Sequence, residues 1–310
     1  MTELALQKRR VRSRGVQLHV VEYGQRGRPP LLLVHGFPDT HDVFSLLIEQ
    51  LGRDFHIAAF DLRGVGQSSA PASREGFRIE AIMPDFTAVI DAVFGSSARV
   101  HMLAHDWGSI LAFSYVSDRT RERRIRSFTS VSGPHLALMW SATVRHLRSL
   151  RPPEMLAGLG QLASSWYAGF FQLPRVPEWL LRKHGPRLYR LTMQRGGVPQ
   201  DDPYLNITEA QVWSRTHHAL ELYRQNAGSP PPLPARHSIG VPTALVVPLN
   251  DPFLRPATYD FVDEYVTDLT VHHLQAGHWV PRSHPRELAE IVHDLTARVD
   301  ATESSSTAST

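Results

Sequence analysis

Val100-His101-Met102-Leu103-Ala104-His105-Asp106-Trp107-Gly108-Ser109 is the stretch on which the fold turns. Val100–Ala104 reads as a buried strand and Ile110–Val116 as a helical run. Between them lies a small–x–Asp–x–small pentad, Ala104 to Gly108. A strand that passes straight into a helix must turn sharply, which crowds neighbouring backbone and demands small flanking residues. The same turn thrusts the central side chain above the sheet. That side chain is Asp106.

Outward from this turn, the first half of the chain alternates β-rich runs with helical patterns, as expected of an α/β protein with a mostly parallel central sheet. Val16–Tyr23 reads as a strand closed by Gly24 and the turn 27–30. Leu31–Val34 is an uninterrupted apolar run, expected where both faces of a strand are buried. His56–Phe60 repeats that pattern, and Ile125–Val131 is a weaker strand ending at Ser132-Gly133-Pro134. From His135 to about Ser238 the character changes to helical text, rich in arginine and aromatic residues and punctuated by proline. Thr208-Glu209-Ala210-Gln211 fits a capping box and predicts a helix running through His218 to Tyr223. After the proline-rich stretch Ser229–Pro234, β/α text resumes with Thr243–Val247, Thr270–Leu274 and a helix over 285–297. The expected organisation is a core of residues 1–133 and 239–300, an inserted helical cap over 134–238, and a disordered tail over 301–310. An insert of this length is too long for a structureless loop in a compact domain.

The 310 residues carry 33 basic and 30 acidic groups, and no cysteine. A disulfide framework, a thiolate metal site and a cysteine nucleophile are therefore excluded. The start, Met1 to Gly15, lacks the apolar segment of a signal peptide, and no apolar run approaches the roughly 20 residues that cross a bilayer. The expectations are a cytoplasmic setting, no membrane span and no nucleic-acid partner; a homodimer is left open.

The chemistry follows from having a carboxylate at the turn. It is ionised at neutral pH and attacks sp³ carbon to give an ester that water can cleave, whereas serine attacking the same carbon would leave an inert ether. Asp106 thus points to displacement rather than acyl transfer. The alternative use of an aspartate here is to cap the following helix.

Together with His35-Gly36-Phe37-Pro38, Asp61-Leu62-Arg63-Gly64-Val65-Gly66, Asn250-Asp251-Pro252 and Gly277-His278-Trp279, this segment resembles the α/β-hydrolase-fold epoxide hydrolases. The likeness covers about residues 12–298 and is nearest to the hydrolase half of actinobacterial proteins that fuse this domain to a short-chain dehydrogenase. It implies that the backbone N–H groups of Phe37 and Trp107 form an oxyanion hole, and that Asp61 and Arg63 brace loops. His278, on a loop after the last strand, would be the general base, with an imidazole pKa suited to accepting a proton near neutrality. Asp251 would orient it, in the chain order nucleophile–acid–histidine; Asn-Asp-Pro is also a plain turn sequence. Epoxide opening needs a weak acid at the leaving oxygen, and the resemblance implies two cap tyrosines for it. Tyr167, in Trp166-Tyr167-Ala168-Gly169-Phe170-Phe171, and Tyr223, in Leu222-Tyr223-Arg224-Gln225-Asn226, fit those contexts, while Tyr189 and Tyr204 read as packing residues.

The implied activity is conversion of a lipophilic epoxide to a vicinal diol through an Asp106 ester, with neither metal nor organic cofactor and no metal-ligand spacing in the sequence. Two other readings stay open. A haloalkane or haloacetate dehalogenase would share the nucleophile and the histidine but not the tyrosine pair. A non-catalytic ligand-binding module would share only the fold. Trp140, Trp166, Phe170, Phe171, Leu180 and Leu181 would line an apolar tunnel or form a cap core. The arginines at 145, 148, 151, 175, 182, 187 and 190 read either as a solvated helix face or as a draw for an acyl carboxylate or a membrane surface.

Overall fold

The computed structural model describes residues 5–307. In chain order the elements are β1 (Ala5–Ser13), β2 (Val16–Gly24), β3 (Pro30–Val34), α1 (Ser45–Leu51), β4 (His56–Phe60), α2 (Ile79–Phe94), β5 (Val100–His105), α3 (Trp107–Val116) and β6 (Ile125–Val131). Six helices follow: α4 (Leu136–Arg148), α5 (Pro152–Ser164), α6 (Trp166–Phe170), α7 (Val176–Arg195), α8 (Glu209–Thr216) and α9 (Leu220–Asn226). The chain then closes with β7 (Thr243–Pro248), β8 (Leu269–Leu274), α10 (Val280–Ser283) and α11 (Pro285–Thr307).

The eight strands form one sheet in the order β1-β2-β4-β3-β5-β6-β7-β8. β1, β2 and β4 pair antiparallel, and every later pairing is parallel. Strands buried on both faces carry no polar alternation: β3 reads PLLLV, and β4 and β5 are buried at every position. Helices cover both faces. Phe86, Ile90, Leu111 and Phe113 pack in one cluster with β2, β3 and β5 side chains, while Leu47, Leu51, Leu288 and Val292 pack in the other. β6 and β7 are adjacent and parallel, Phe128 opposite Thr243, although α4–α9 separate them in the chain. All six inserted helices lie within 134–238, and the sheet runs past the insertion undisturbed.

Three features differ from the sequence expectation. β1 reads as a charged start (ALQKRRVRS), yet it forms the sheet's edge strand, where basic side chains lie at a rim: Arg9 pairs with the buried Glu22 and donates to the Ala92 carbonyl at 2.6 Å. The capping box at Thr208 and Gln211 is present, but the helix it opens ends at Thr216 and α9 begins only at Leu220, after a turn at 217–219. α11 continues to Thr307, taking in most of the segment expected to be a disordered tail. Glu303 on its last turns pairs with Arg99 and Arg126, which ties those turns to the sheet. Residues 308–310 of that tail lie outside the described residues.

The turn at Asp106 explains where glycine is obligatory. A Cβ on Gly108 would stand 2.3 Å from the Val34 carbonyl oxygen and 2.4 Å from that of His35, both backbone atoms that cannot swing away. Gly108→Ala should therefore cost about 1–3 kcal/mol or more, as overpacking does. Gly169, inside α6, meets nothing within 4 Å of an added Cβ, so Gly169→Ala should instead stabilise by about 0.5–1 kcal/mol through helix propensity. Chemical denaturation of the two variants checks both signs.

Candidate active site

Asp106 sits between β5 and α3 with φ +52° and ψ −125°, a conformation rarely adopted by a non-glycine residue. Its amide donates to the Val131 carbonyl at 2.9 Å, fastening the turn to the neighbouring strand. It occupies the position before α3 but makes no side-chain capping bond, which disposes of the helix-cap alternative. Its carboxylate instead faces the loop after β3. The Phe37 N–H donates to Oδ2 at 2.7 Å. Gly36 allows this approach, since a Cβ there would stand 2.3 Å from Oδ2 and 2.6 Å from the Trp107 amide nitrogen. Of the two predicted oxyanion donors, Phe37 is thus hydrogen-bonded to the carboxylate, while the Trp107 amide lies beside the same loop with no such bond.

The other oxygen, Oδ1, lies 3.5 Å from His278 Nε2. His278 is buried, and its Nδ1–H donates to Asp251 Oδ2 at 2.7 Å. Asp251 Oδ1 accepts from the Phe253 and Leu254 amides at 2.7 and 3.0 Å. Asp251 therefore serves both readings, turn residue and histidine partner, with one oxygen each. Burial works against a charged His278, but Asp251 and Asp106 reverse this and raise its pKa to about 10. The resting site holds an imidazolium between two carboxylates.

Tyr167 and Tyr223 meet edge to face, ring centroids 5.9 Å apart. Tyr223 packs edge-on against Trp107 at 5.0 Å, Phe37 at 5.3 Å and Phe171 at 4.9 Å, and Tyr167 against Phe253 at 5.7 Å. These contacts bring α6 and α9 onto the loops that carry Asp106 and Asp251. Burial and the Asp106 carboxylate push both phenols above their usual range, so they stay protonated at neutral pH. All the residues singled out in the sequence, Phe37, Asp106, Trp107, Tyr167, Tyr223, Asp251 and His278, converge on one apolar-walled site.

Other residues at the site escape a sequence reading. The His278 carbonyl accepts from His105 Nε2 at 2.9 Å and from the Ser132 hydroxyl at 2.8 Å, which pins the loop of the imidazole to the ends of β5 and β6. His105 has its pKa lowered to about 4, first by burial and then by His278, and so acts as a neutral donor. Asp39 accepts from the Trp279 indole at 2.9 Å and the Tyr204 hydroxyl at 3.0 Å; full burial raises its pKa to about 6. Its only sequence signal is its place directly after Phe37-Pro38. Tyr259 has a buried hydroxyl with no hydrogen-bond partner among the described residues. Away from Asp106, Asp251 and His278, Asp61 accepts from the His41 amide, the His41 ring and the Gln67 amide, and the Arg63 guanidinium donates two hydrogen bonds to the Asp85 carboxylate, in keeping with the bracing role. His19, His41 and Asp61 nonetheless have donor atoms within 4.8 Å of one another, the described group that could hold a metal ion. Sequence spacing does not reveal it, because the three residues come from separate segments. Trp140 and Trp166, expected in a tunnel or a cap core, point outward with 40% and 68% of their surface exposed.

A model of the α/β hydrolase fold matches residues 29–285. The chain belongs to the α/β-hydrolase fold family. Among curated proteins, it is 33% identical over 306 residues to the "Probable oxidoreductase EphD" of Mycobacterium tuberculosis, covering 92% of this chain and 48% of that protein. The chain thus spans about half the length of that relative. It is 26% identical to "Epoxide hydrolase 4" of Mus musculus, covering 89% of this chain and 75% of the relative. Among solved structures, an epoxide hydrolase of Bacillus megaterium with a bound inhibitor superposes with a TM-score of 0.76 at 24% identity, covering 93% of this chain and all of that one. The hydrolase from Vigna radiata gives 0.72 at 22% identity, covering 96% and 99%. At these identities the structural likeness speaks for the fold alone.

The electrostatics of the site carry their own test. Asp106→Ala removes one of the two carboxylates that hold the proton on His278. The imidazole pKa should then fall well below about 10, followed by NMR titration of the ring protons. An unchanged value would mean that Asp251 alone sets it.

Proposed function

We propose that this α/β hydrolase converts a lipophilic epoxide to a vicinal diol by way of a covalent ester on Asp106. The observation that supports this reading most strongly is a pair of protonated phenols, Tyr167 and Tyr223, in one aromatic pocket with a carboxylate that is backed by a histidine–aspartate pair. The names of the mouse and Bacillus relatives point the same way. The inserted helices α4–α9 serve as the cap that carries both phenols.

In the first step, Asp106 Oδ1 attacks the less hindered epoxide carbon. The C–O bond breaks, and its electron pair goes to the oxygen, which is held by the phenols and takes a proton from one of them. Oδ1 is the attacking oxygen because Oδ2 is engaged by the Phe37 N–H. Esterification removes the charge on Asp106, one of the two carboxylates that keep the imidazole protonated. His278 then passes its proton to the phenolate left by the first step and becomes a base at the stage when one is needed. In the second step it takes a proton from water as the water attacks the ester carbon. The negative charge develops on Oδ2, where the Phe37 N–H already points and the Trp107 N–H completes the hole. Collapse releases the diol, whose departing oxygen takes the proton of the carboxyl group formed on Asp106, and leaves Asp106 ionised and His278 protonated as at rest.

Two variants separate these steps. His278→Gln should alkylate but not hydrolyse, so that mass spectrometry of protein incubated with styrene oxide finds the adduct on the peptide containing Asp106. Asp106→Ala should form neither adduct nor diol, and diol formation at the parent rate in that variant would end the proposal. The Tyr167→Phe/Tyr223→Phe double variant should lower epoxide turnover by at least about 100-fold, within the range of general acid catalysis. Bromide release from a bromoalkane that survives this double change while diol formation is absent in the parent would favour the dehalogenase reading.

A further inference from the structure

Among the described residues, fourteen large apolar side chains are exposed, and twelve of them lie between Trp140 and Leu191, ten in the inserted helices and two, Leu150 and Leu173, in the loops between them. The same region, residues 136–195, carries nine arginines and lysines against two acidic residues, whereas the whole chain has a formal charge of only +3. The helix α5 concentrates both properties. Met155, Leu156, Leu159 and Leu162 are all exposed, and at 3.6 residues per turn they fall in one arc of roughly 120°. Trp166, at 68% exposure, follows in α6, and Leu150, fully exposed, precedes.

The orientation of α5 is fixed from its inner side by polar contacts. Its buried positions are Gly158 and Gln161. The Gln161 side chain donates to the Phe253 carbonyl at 3.0 Å and accepts from the Arg255 amide at 2.9 Å. This amphipathic helix therefore holds its polar side toward the protein and its apolar side toward the surroundings, the reverse of a helix that covers a core. Basic groups flank the arc: Arg148 and Arg151 at its start, and Arg255, whose guanidinium lies against Gly160.

We infer that the outer face of α5 and α6 docks this protein on an anionic lipid surface, with the leucines and Trp166 entering the headgroup region and the flanking arginines meeting lipid phosphates. Helices with an apolar arc, a tryptophan and basic flanks lie in such interfaces. No described helix is long and apolar enough to cross a membrane, so the contact lies along the surface. A second copy of the chain is a poorer occupant, because an isologous contact would set one strongly basic region against another. Docking would also put the cap helix that carries Tyr167 beside the lipid phase.

Co-sedimentation with vesicles tests this without any turnover assay. The protein should bind vesicles containing phosphatidylglycerol at least about ten-fold more tightly than pure phosphatidylcholine, and lose this preference in molar salt, where the screening length is about 3 Å. Leu156→Glu/Leu159→Glu, at exposed positions remote from the triad, should abolish binding with the melting temperature unchanged, and Arg148→Glu/Arg151→Glu should weaken it. Binding to phosphatidylglycerol vesicles that is absent in the parent, or equal in parent and leucine variant, would overturn the inference. So would a dimer in sedimentation velocity that the leucine variant dissolves while the parent ignores vesicles, which would assign the face to a second copy.

Discussion

Three backbone segments meet at Asp106 more closely than any side chain would allow. Gly36 comes against its carboxylate, Gly108 against the end of β3, and Gly133 against its own carbonyl oxygen, which an added Cβ would approach to 2.4 Å. This crowding holds Asp106 in a positive-φ conformation that an isolated chain would leave, at a cost of about 1–3 kcal/mol. The surrounding parallel strands supply the rigidity, since β5 is hydrogen-bonded on both sides and buried throughout. A carboxylate held this way cannot relax to cap α3, and its two oxygens are left with different neighbours. One faces a backbone N–H and the other an imidazole.

That division of labour carries over to the charges. With two carboxylates on either side of His278, the resting imidazole prefers its protonated form despite deep burial. Chemistry that neutralised Asp106 would tilt the balance toward the free base. The fold therefore couples the charge of Asp106 to that of His278 through a distance of 3.5 Å, with no moving part. Around them the carbonyl of His278 is held by His105 and Ser132, so the imidazole is fixed by its backbone as well as by Asp251.

The inserted helices have two sides of different character. Inward, Tyr167, Phe171 and Tyr223 form an aromatic wall against Phe37, Trp107 and Phe253, where apolar contact excludes water and keeps the phenols neutral. Outward, α5 exposes leucine where a solvated helix face would carry polar residues. An apolar stripe read from sequence alone is naturally assigned to a core. Only the partners of Gln161 show that α5 is turned the other way.

Periodicity and turn chemistry made most of the core legible, because a strand buried on both faces must be apolar throughout and a strand-to-helix elbow must have small residues beside its centre. The strands at 56–60 and 125–131 have the bounds read from the sequence, and the capping box at Thr208 is formed. The edge strand β1 was not legible, since its charged residues are stabilised by a neighbour, Glu22, that lies on another strand. The candidate site was legible where a residue type and a motif coincide, at Asp106, Asp251 and His278. It was not legible at Asp39, His105 or Ser132, whose partners are distant in the chain and whose residue types are commonplace. By itself the sequence determined the alternation that builds the sheet, the carboxylate at the elbow and the acid–histidine order. The tertiary structure alone decided which oxygen of Asp106 meets the Phe37 N–H and which the imidazole, and which side of α5 meets the outside, because each depends on contacts between segments that no local pattern encodes.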